Sequence, residues 1–183
     1  PHKISCSDYY TESGIKHIDA FSGKSIYVTY LIGTMLKHDS CGDPGTRRIG
    51  QDLRFADKDP DIIGHIIIAE SGGGNADSVA EISDAIKECT KPVVAWVDGV
   101  AASACIYAIS YADRIIAHNT YDRIGCIGTM IELSGYSKFS KMKDGYVTCR
   151  IYADQSEEKN LEYEQALSGN DKLIKENLLN PLS

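Results

Sequence analysis

The sequence lacks the features of a membrane-spanning or nucleic-acid-binding protein. No apolar run in its 183 residues approaches the roughly 20 residues that a helix needs to cross a bilayer. Basic residues are also scarce, since 19 lysines and arginines face 26 aspartates and glutamates, for a net charge of −7. A nucleic-acid-binding domain would show a basic face. We therefore expect no nucleic-acid partner and no membrane anchor in this chain.

Closely spaced cysteines are absent as well. No CxxC pair occurs, so the sequence predicts neither a metal site nor a disulfide framework. We interpret the cysteines as buried free thiols, which are typical of proteins from a reducing compartment. The six are Cys6, Cys41, Cys89, Cys105, Cys126 and Cys149.

Signals for a cofactor or for secretion are missing too. Neither phosphate-binding glycine motif, GxGxxG or GxxxxGKS/T, occurs, and no cofactor is predicted. The chain starts without a charged segment followed by an apolar one, so we predict no signal peptide. Because it also lacks an initiator methionine, we interpret it as a trimmed fragment. The acidic, thiol-bearing chain favours a cytoplasmic protein, with membrane association as the alternative if the full-length gene product carries an anchor.

Strand and helix patterns alternate along the chain. Short apolar or β-branched runs predict strands, and the stretches between them have helical spacing. This order predicts a single α/β domain over residues 1–183 with a largely parallel sheet, and a polar helical arm over about 154–183. The predicted strands are Ser25–Leu36, Ile62–Ala69, Pro92–Val97 and Arg114–Ala117, and the predicted helices are 47–56, 76–89 and one from Ser103.

Three glycines, Gly72, Gly73 and Gly74, lie where a buried strand is predicted to meet a helix. Glycine permits a positive φ and lets a ligand approach bare backbone N–H groups. Such a turn can stabilise an oxyanion or bind a phosphate. The simpler alternative is a tight connection with no chemical role.

Ser103 lies in the segment DGVAASACIYA, whose small residues allow a sharp turn from strand into helix. This arrangement would present the hydroxyl beside the N–H of Ala104, as a nucleophile requires. The alternative is an ordinary N-cap serine.

A nucleophilic serine needs a base. No histidine and aspartate form an obvious pair in the sequence, and His118 is the one histidine near a plausible active face. Lys159 is the preferred candidate, since Asp154 or Ser156 would cap a helix that places this lysine in its first turn. A cation there opposes the helix dipole, which is unusual for a structural lysine. The competing lysines are Lys138, Lys141 and Lys143.

Together these segments resemble the SppA-type signal peptide peptidase family of the ClpP/crotonase superfamily, from about Ser25 to Leu167. ESGGG occupies the place of the family's D-S-P-G-G, and IGCIGT resembles its T-G-S-I-G-V. The order and spacing of all the pieces carry the resemblance. The other pieces are Ile26–Gly33, Asp59–Gly64, Lys91–Ser103 and Tyr111–Ala117.

The resemblance implies a ClpP/crotonase-like spiral of βαβ units and an ATP-independent serine endopeptidase. Ser103 matches the nucleophile, and Lys159, 56 residues later, matches the general base. Gly73 and Ala104 match the backbone donors of the oxyanion hole, with Gly74 as the neighbouring alternative. Relatives without an anchor in phages and prophages imply a role in capsid or scaffold maturation, with degradation of signal-peptide-type peptides as the alternative role. A peptide or protein substrate and a homo-oligomer are implied as well.

The chain departs from the family at three places. Gly72 replaces the proline of D-S-P-G-G, Ala104 and Cys105 replace the usual Gly-Gly after the serine, and the S-G-x-x-K-D spelling before the lysine is missing. Two alternatives therefore stay open. One is an inactive relative that assembles or binds peptides, and the other is a crotonase-type acyl-CoA enzyme.

Overall fold

The computed structural model describes residues 16–20, 24–136, 146–156 and 158–180. The chain forms two compact units, one ending at Gly125 and the other beginning at Cys126. Each unit is described by itself.

A six-stranded sheet forms the centre of the first unit. Its strands lie in the order β1-β2-β3-β4-β5, and β6 pairs with the end of β4. Every pairing is parallel except that of β1 with β2. The predicted α/β fold with a largely parallel sheet is therefore confirmed. The strands are β1 (Lys16–Ala20), β2 (Lys24–Met35), β3 (Ile62–Gly74), β4 (Val93–Ala102), β5 (Arg114–Ala117) and β6 (Arg123–Gly125).

Three helices connect these strands and bury one face of the sheet. They are α1 (Thr46–Asp57), α2 (Val79–Glu88), which follows a 3-10 turn at Ala76–Ser78, and α3 (Ala104–Ile109). Helix α2 contacts both α1 and α3, and α3 packs on β3. Side chains two residues apart on β3 and β4 point into this layer, because side chains alternate across a strand. Ile67, Ala69, Ala95 and Val97 are fully buried there.

The second unit begins with an antiparallel pair of strands, β7 (Met130–Tyr136) and β8 (Tyr146–Tyr152). Short helical segments follow, as the predicted helical arm requires. They are α4 (Leu161–Leu167), α5 (Lys172–Ile174) and a π-helical turn at Lys175–Leu179. The sequence patterns did not predict the β7–β8 pair.

The cysteines are less buried than the sequence suggested. Cys105 is buried and Cys89 is half-buried, whereas Cys41, Cys126 and Cys149 are exposed. All five are free thiols, and Cys6 lies outside the described residues. The expectation of uniformly buried thiols was wrong, because three of them lie in loops or on the exposed hairpin.

Candidate active site

Ser103 lies between the last residue of β4 and the first residue of α3. Its backbone has φ +55° and ψ −120°, a conformation that L-residues rarely adopt. Such strain costs on the order of 1–3 kcal/mol and is concentrated at functional sites. Its N–H donates to the carbonyl of Gly125 at 3.0 Å, and its carbonyl accepts from the N–H of Tyr107 at 3.1 Å.

This geometry differs from that of an ordinary N-cap. A capping serine has extended backbone angles, and its hydroxyl accepts from an early helix N–H. Ser103 has neither the angles nor a side-chain capping hydrogen bond. Its backbone instead resembles the strained strand-to-helix turn that presents the nucleophile in α/β-hydrolase enzymes. The residue is half-buried.

Gly73 lies directly against this turn. Ser71 of β3 is paired with Ala101 of β4, so the residues two positions later, Gly73 and Ser103, come together. A Cβ on Gly73 would lie 2.8 Å from the Cβ of Ser103 and 2.9 Å from the backbone N of Ala104. Gly73 also has φ +98°. Only glycine fits here, and the structure brings together three of the residues predicted for the site.

The other two glycines of the turn have different surroundings. A Cβ on Gly74 would lie 2.1 Å from the carbonyl oxygen of Met35, so this glycine permits the close approach of β2 to β3. Gly72 has open space where a side chain would be. The predicted turn is thus the end of a longer strand, since β3 continues through Gly74.

The N–H of Gly73 already has a partner within its own strand. It donates to the hydroxyl of Ser71 at 3.0 Å, and that hydroxyl donates to the carbonyl of Gly33 at 2.5 Å. Sequence reasoning missed Ser71. Its position inside ESGGG was the available signal.

Lys159 is buried in the second unit, with 7% of its surface exposed. Its side-chain nitrogen Nζ donates to the carbonyl oxygen of Cys126 at 3.0 Å and lies 3.6 Å from the thiol sulfur of that residue. The backbone N–H of Lys159 donates to the carbonyl of Ser156. Ser156 is itself buried, and its hydroxyl accepts from the N–H of Thr129 at 3.0 Å.

The predicted position of Lys159 within a helix was wrong. Helix α4 begins at Leu161, with Asn160 as its N-cap in the left-handed conformation, and the lysine precedes both. Ser156 does not cap α4, because its hydroxyl is bonded to Thr129. The argument from the helix dipole therefore does not apply to this lysine. Its burial beside Cys126 is a separate reason to keep Lys159 as the candidate base. The competing lysines lie outside the described residues: Lys138, Lys141 and Lys143.

Two histidines pair with carboxylates, contrary to the sequence-based expectation of no pairing. Nδ1 of His118 lies 3.1 Å from an oxygen of Asp98, and about half of both side chains is exposed. Nε2 of His65 lies 3.0 Å from an oxygen of Asp57. Burial lowers the pKa of His65, against the opposing effect of Asp57. Sequence could not show either pair, because the partners are on different elements.

His65, Asp57 and Cys89 form the one group of metal-ligating side chains among residues that the structure describes. Their ligand atoms lie within 4.8 Å of one another. The carboxylate of Asp57 also accepts from the N–H and hydroxyl of Thr90 and the N–H of Lys91. It thereby ties the end of α1 to the segment before β4. His65 is near the start of β3, at the end of the strand opposite Gly73.

Similarity to known proteins agrees with this geometry. Residues 85–174, which include both Ser103 and Lys159, match the sequence profile of Peptidase family S49. Over this segment, a little under half of the chain, the sequence is similar to the S49 peptidases. A candidate protease from Methanocaldococcus jannaschii, MJ0651, is 26% identical over 130 residues. That alignment covers 66% of this chain and 42% of the relative, so the chain spans less than half of the relative's length.

Two solved structures of a stomatin-specific protease share the fold. The serine-to-alanine mutant of the 1510-N membrane-bound stomatin-specific protease has a TM-score of 0.55 at 18% identity, covering 86% of this chain and 73% of that one. Its lysine-to-alanine mutant, in complex with a substrate peptide, has a TM-score of 0.51 at 20% identity and covers 68% and 53%. At these identities the likeness shows the fold, and the predicted ClpP/crotonase-like α/β class is confirmed.

Within the described ranges, no helix combines the length and the apolar character needed to span a membrane.

Proposed function

We propose that this S49 relative is an ATP-independent serine endopeptidase with Ser103 as its nucleophile. The strained backbone of Ser103 at the end of β4, with Gly73 lying against it, is the observation that carries the proposal. In parallel sheets, ligands and reacting groups collect at the carboxyl ends of strands. Both residues lie at that end, on neighbouring strands.

Peptide hydrolysis would proceed through an acyl-enzyme. The hydroxyl oxygen of Ser103 attacks the carbonyl carbon of the substrate while Lys159, as the neutral amine, takes the hydroxyl proton and becomes an ammonium. The backbone N–H of Ala104 and that of Gly73, or Gly74, would stabilise the oxyanion. The amine leaves with the proton from Lys159, and water then cleaves the ester with the same lysine as base.

One of the proposed oxyanion donors, the N–H of Gly73, already has a hydrogen-bond acceptor. Because the N–H of Gly73 donates to Ser71 in this structure, it would have to be shared with a substrate oxyanion. The N–H of Ala104 is better placed for the role, since the first N–H groups of a helix have no acceptor within the helix.

The two solved structures of similar fold support the same chemistry. They are proteases studied as a serine mutant and a lysine mutant, and one holds a substrate peptide. For this chain, a peptide or protein substrate, homo-oligomeric assembly and a cytoplasmic role in phage capsid or scaffold maturation are part of the proposal. Both compact units would then belong to one peptidase domain over residues 1–183.

Peptide-library cleavage read by mass spectrometry tests the nucleophile. Ser103→Ala should abolish cleavage, a fall of at least about a thousandfold, because no other group replaces the attacking oxygen. Ser110→Ala is the matched control, since Ser110 is an exposed serine at the other end of α3. Full activity of Ser103→Ala, with its fold unchanged, would refute the proposal.

Lys159→Met in the same assay tests the base, with the exposed Lys172→Met as its control. The first variant should lose cleavage and the second should keep it. Cleavage that survives Lys159→Met would assign the base elsewhere, to Lys138, Lys141, Lys143 or His118.

A folded wild-type protein that cleaves no peptide would favour one of the two alternatives. Thermal stabilisation by an acyl-CoA thioester would then indicate the crotonase-type enzyme. Stabilisation by peptides alone would indicate an inactive assembly or peptide-binding relative.

A further inference from the structure

Ser71 is a polar residue buried within the sheet of the first unit, with 1% of its surface exposed. A buried hydroxyl without hydrogen bonds is costly, so its partners show what it holds in place. The Ser71 hydroxyl group donates to the carbonyl of Gly33 on β2, and its oxygen accepts from the N–H of Gly73 at the end of β3. It therefore joins the two strands at the place where β3 reaches the Ser103 turn.

The bond to Gly33 comes from an irregularity in β2. The register between β2 and β3 shifts between Ile32 and Thr34, and Gly33 between them has φ +76°. A bulge of this kind turns a backbone carbonyl out of the regular strand pairing. The Ser71 hydroxyl occupies the acceptor that results, so β2 indirectly supports the position of Gly73.

A third contact of Ser71 reaches α3. Its hydroxyl also lies beside the thiol of Cys105, whose pKa it lowers; Cys105 is fully buried and immediately follows Ala104. Burial raises the pKa of the Cys105 thiol to about 12, against the smaller opposite effect of Ser71. Cys105 thus stays a neutral thiol and is a packing neighbour rather than a second nucleophile.

We propose that Ser71 is a positioning residue that fixes the Gly73 amide relative to Ser103 and Ala104. One hydroxyl contacts the β2 bulge, the end of β3 and the first turn of α3. Without it, the peptide group of Gly73 loses its anchor and can rotate. Because this inference rests on the proposed function, part of its test is independent of peptidase activity.

Ser71→Ala, compared with Ser78→Ala, separates positioning from simple loss of a buried hydrogen bond. Ser78 is a matched control, since it is fully buried and its hydroxyl donates to the carbonyl of Asn75 at 2.6 Å. Both variants should lose similar stability. Ser71→Ala alone should lower kcat by about 10- to 100-fold with KM unchanged, because a misplacement of about 1 Å costs about a hundredfold in rate.

Amide hydrogen exchange of Gly73, followed by NMR, is the activity-independent measurement. Ser71→Ala should speed exchange at this amide at least about tenfold, whereas Ser78→Ala should leave it unchanged. Ser71→Cys, which keeps a weak hydrogen-bonding group at the same size, should give intermediate exchange and intermediate kcat.

The results distinguish the anchoring of the Gly73 amide from the proposed peptidase activity. Faster Gly73 exchange in a protein whose wild type cleaves nothing would support the anchoring and refute the peptidase. Unchanged exchange in Ser71→Ala would overturn the anchoring, whatever the activity. A rise in kcat would overturn positioning too, since it would mean that the hydroxyl competes with substrate for the amide.

Discussion

The two compact units hold their polar side chains in opposite surroundings. In the first unit, the sheet and three helices enclose an apolar core that runs from Tyr27 to Ile109, and Ser71 is embedded in it. In the described part of the second unit, the two buried residues are both polar, Ser156 and Lys159. One unit is organised by apolar burial and the other by hydrogen bonds.

The two units therefore differ in the interactions that stabilise them. Apolar burial contributes roughly 25 cal/mol for each Å² removed from water. Surface ion pairs such as Arg150 with Glu132, at 2.7 Å on the β7–β8 pair, contribute little by comparison. Local opening is easiest where few apolar contacts are buried. The strained Ser103 turn thus lies in the unit with the apolar core, whose burial offsets the free energy of the strain.

The largest contrast should appear when one leucine is truncated in each unit. Leu53 is fully buried in α1, whereas 75% of Leu167 in α4 is exposed. Leu53→Ala should lower the free energy of unfolding by about 2–5 kcal/mol. Leu167→Ala should change it by less than about 0.5 kcal/mol. Urea unfolding followed by the fluorescence of the single tryptophan, Trp96 on β4, measures the first unit directly.

Amide exchange in α4 completes this comparison, because Trp96 does not report on the second unit. Equal losses from the two leucine variants would break the contrast. That result would mean that Leu167 is covered by apolar surface in the working protein.

The same contrast explains which features the sequence predicted. Apolar runs located the strands beginning at Ile62 and Val93, because strands of parallel sheets are typically rich in valine and isoleucine. Their last residues, through Gly74 and Ala102, were missed because glycine and small residues are typical of turns. The β7–β8 pair was missed because Ser134 and Gly135 interrupt its apolar pattern.

The site residues also fall into two groups, those set by a local turn and those held by contacts between residues distant in sequence. Ser103 and Gly73 could be singled out because tight turns restrict residue type locally. Ser71's bond to Gly33 joins residues 38 positions apart, and no local pattern contains that information. The same holds for His65 with Asp57, and for Lys159 with Cys126.

Alanine substitutions at two adjacent glycines near the end of β3 should have different effects on the stability of the first unit. Gly73→Ala places a Cβ against backbone atoms at 2.9 Å in a residue with φ +98°. We expect it to cost about 1–3 kcal/mol of stability from strain alone, with loss of cleavage. Gly72→Ala meets open space and should be close to neutral. Thermal unfolding and peptide cleavage of the two variants test this, and equal behaviour would show that the turn is not close-packed against Ser103.

The smallest expected effect is a pH dependence of the stability of the first unit, caused by its buried histidine, His65. His65 is 2% exposed, and burial lowers its pKa, so the unfolded chain takes up a proton at this residue more readily than the folded one. Stability should therefore fall as the pH drops through the ordinary histidine pKa of about 6.5. Burial raises the pKa of Asp57, but the bonds from Thr90, His65 and Lys91 together lower it. Its contribution is lost in the same direction, at more acidic pH.

Urea unfolding of the wild type and His65→Gln at pH 7.5 and 5.5 measures this effect, with the exposed His38→Gln as control for the loss of one imidazole. His65→Gln should flatten the fall in unfolding free energy between the two pH values, because glutamine carries no proton to gain. An unchanged slope would mean that acid sensitivity arises outside the packed sheet.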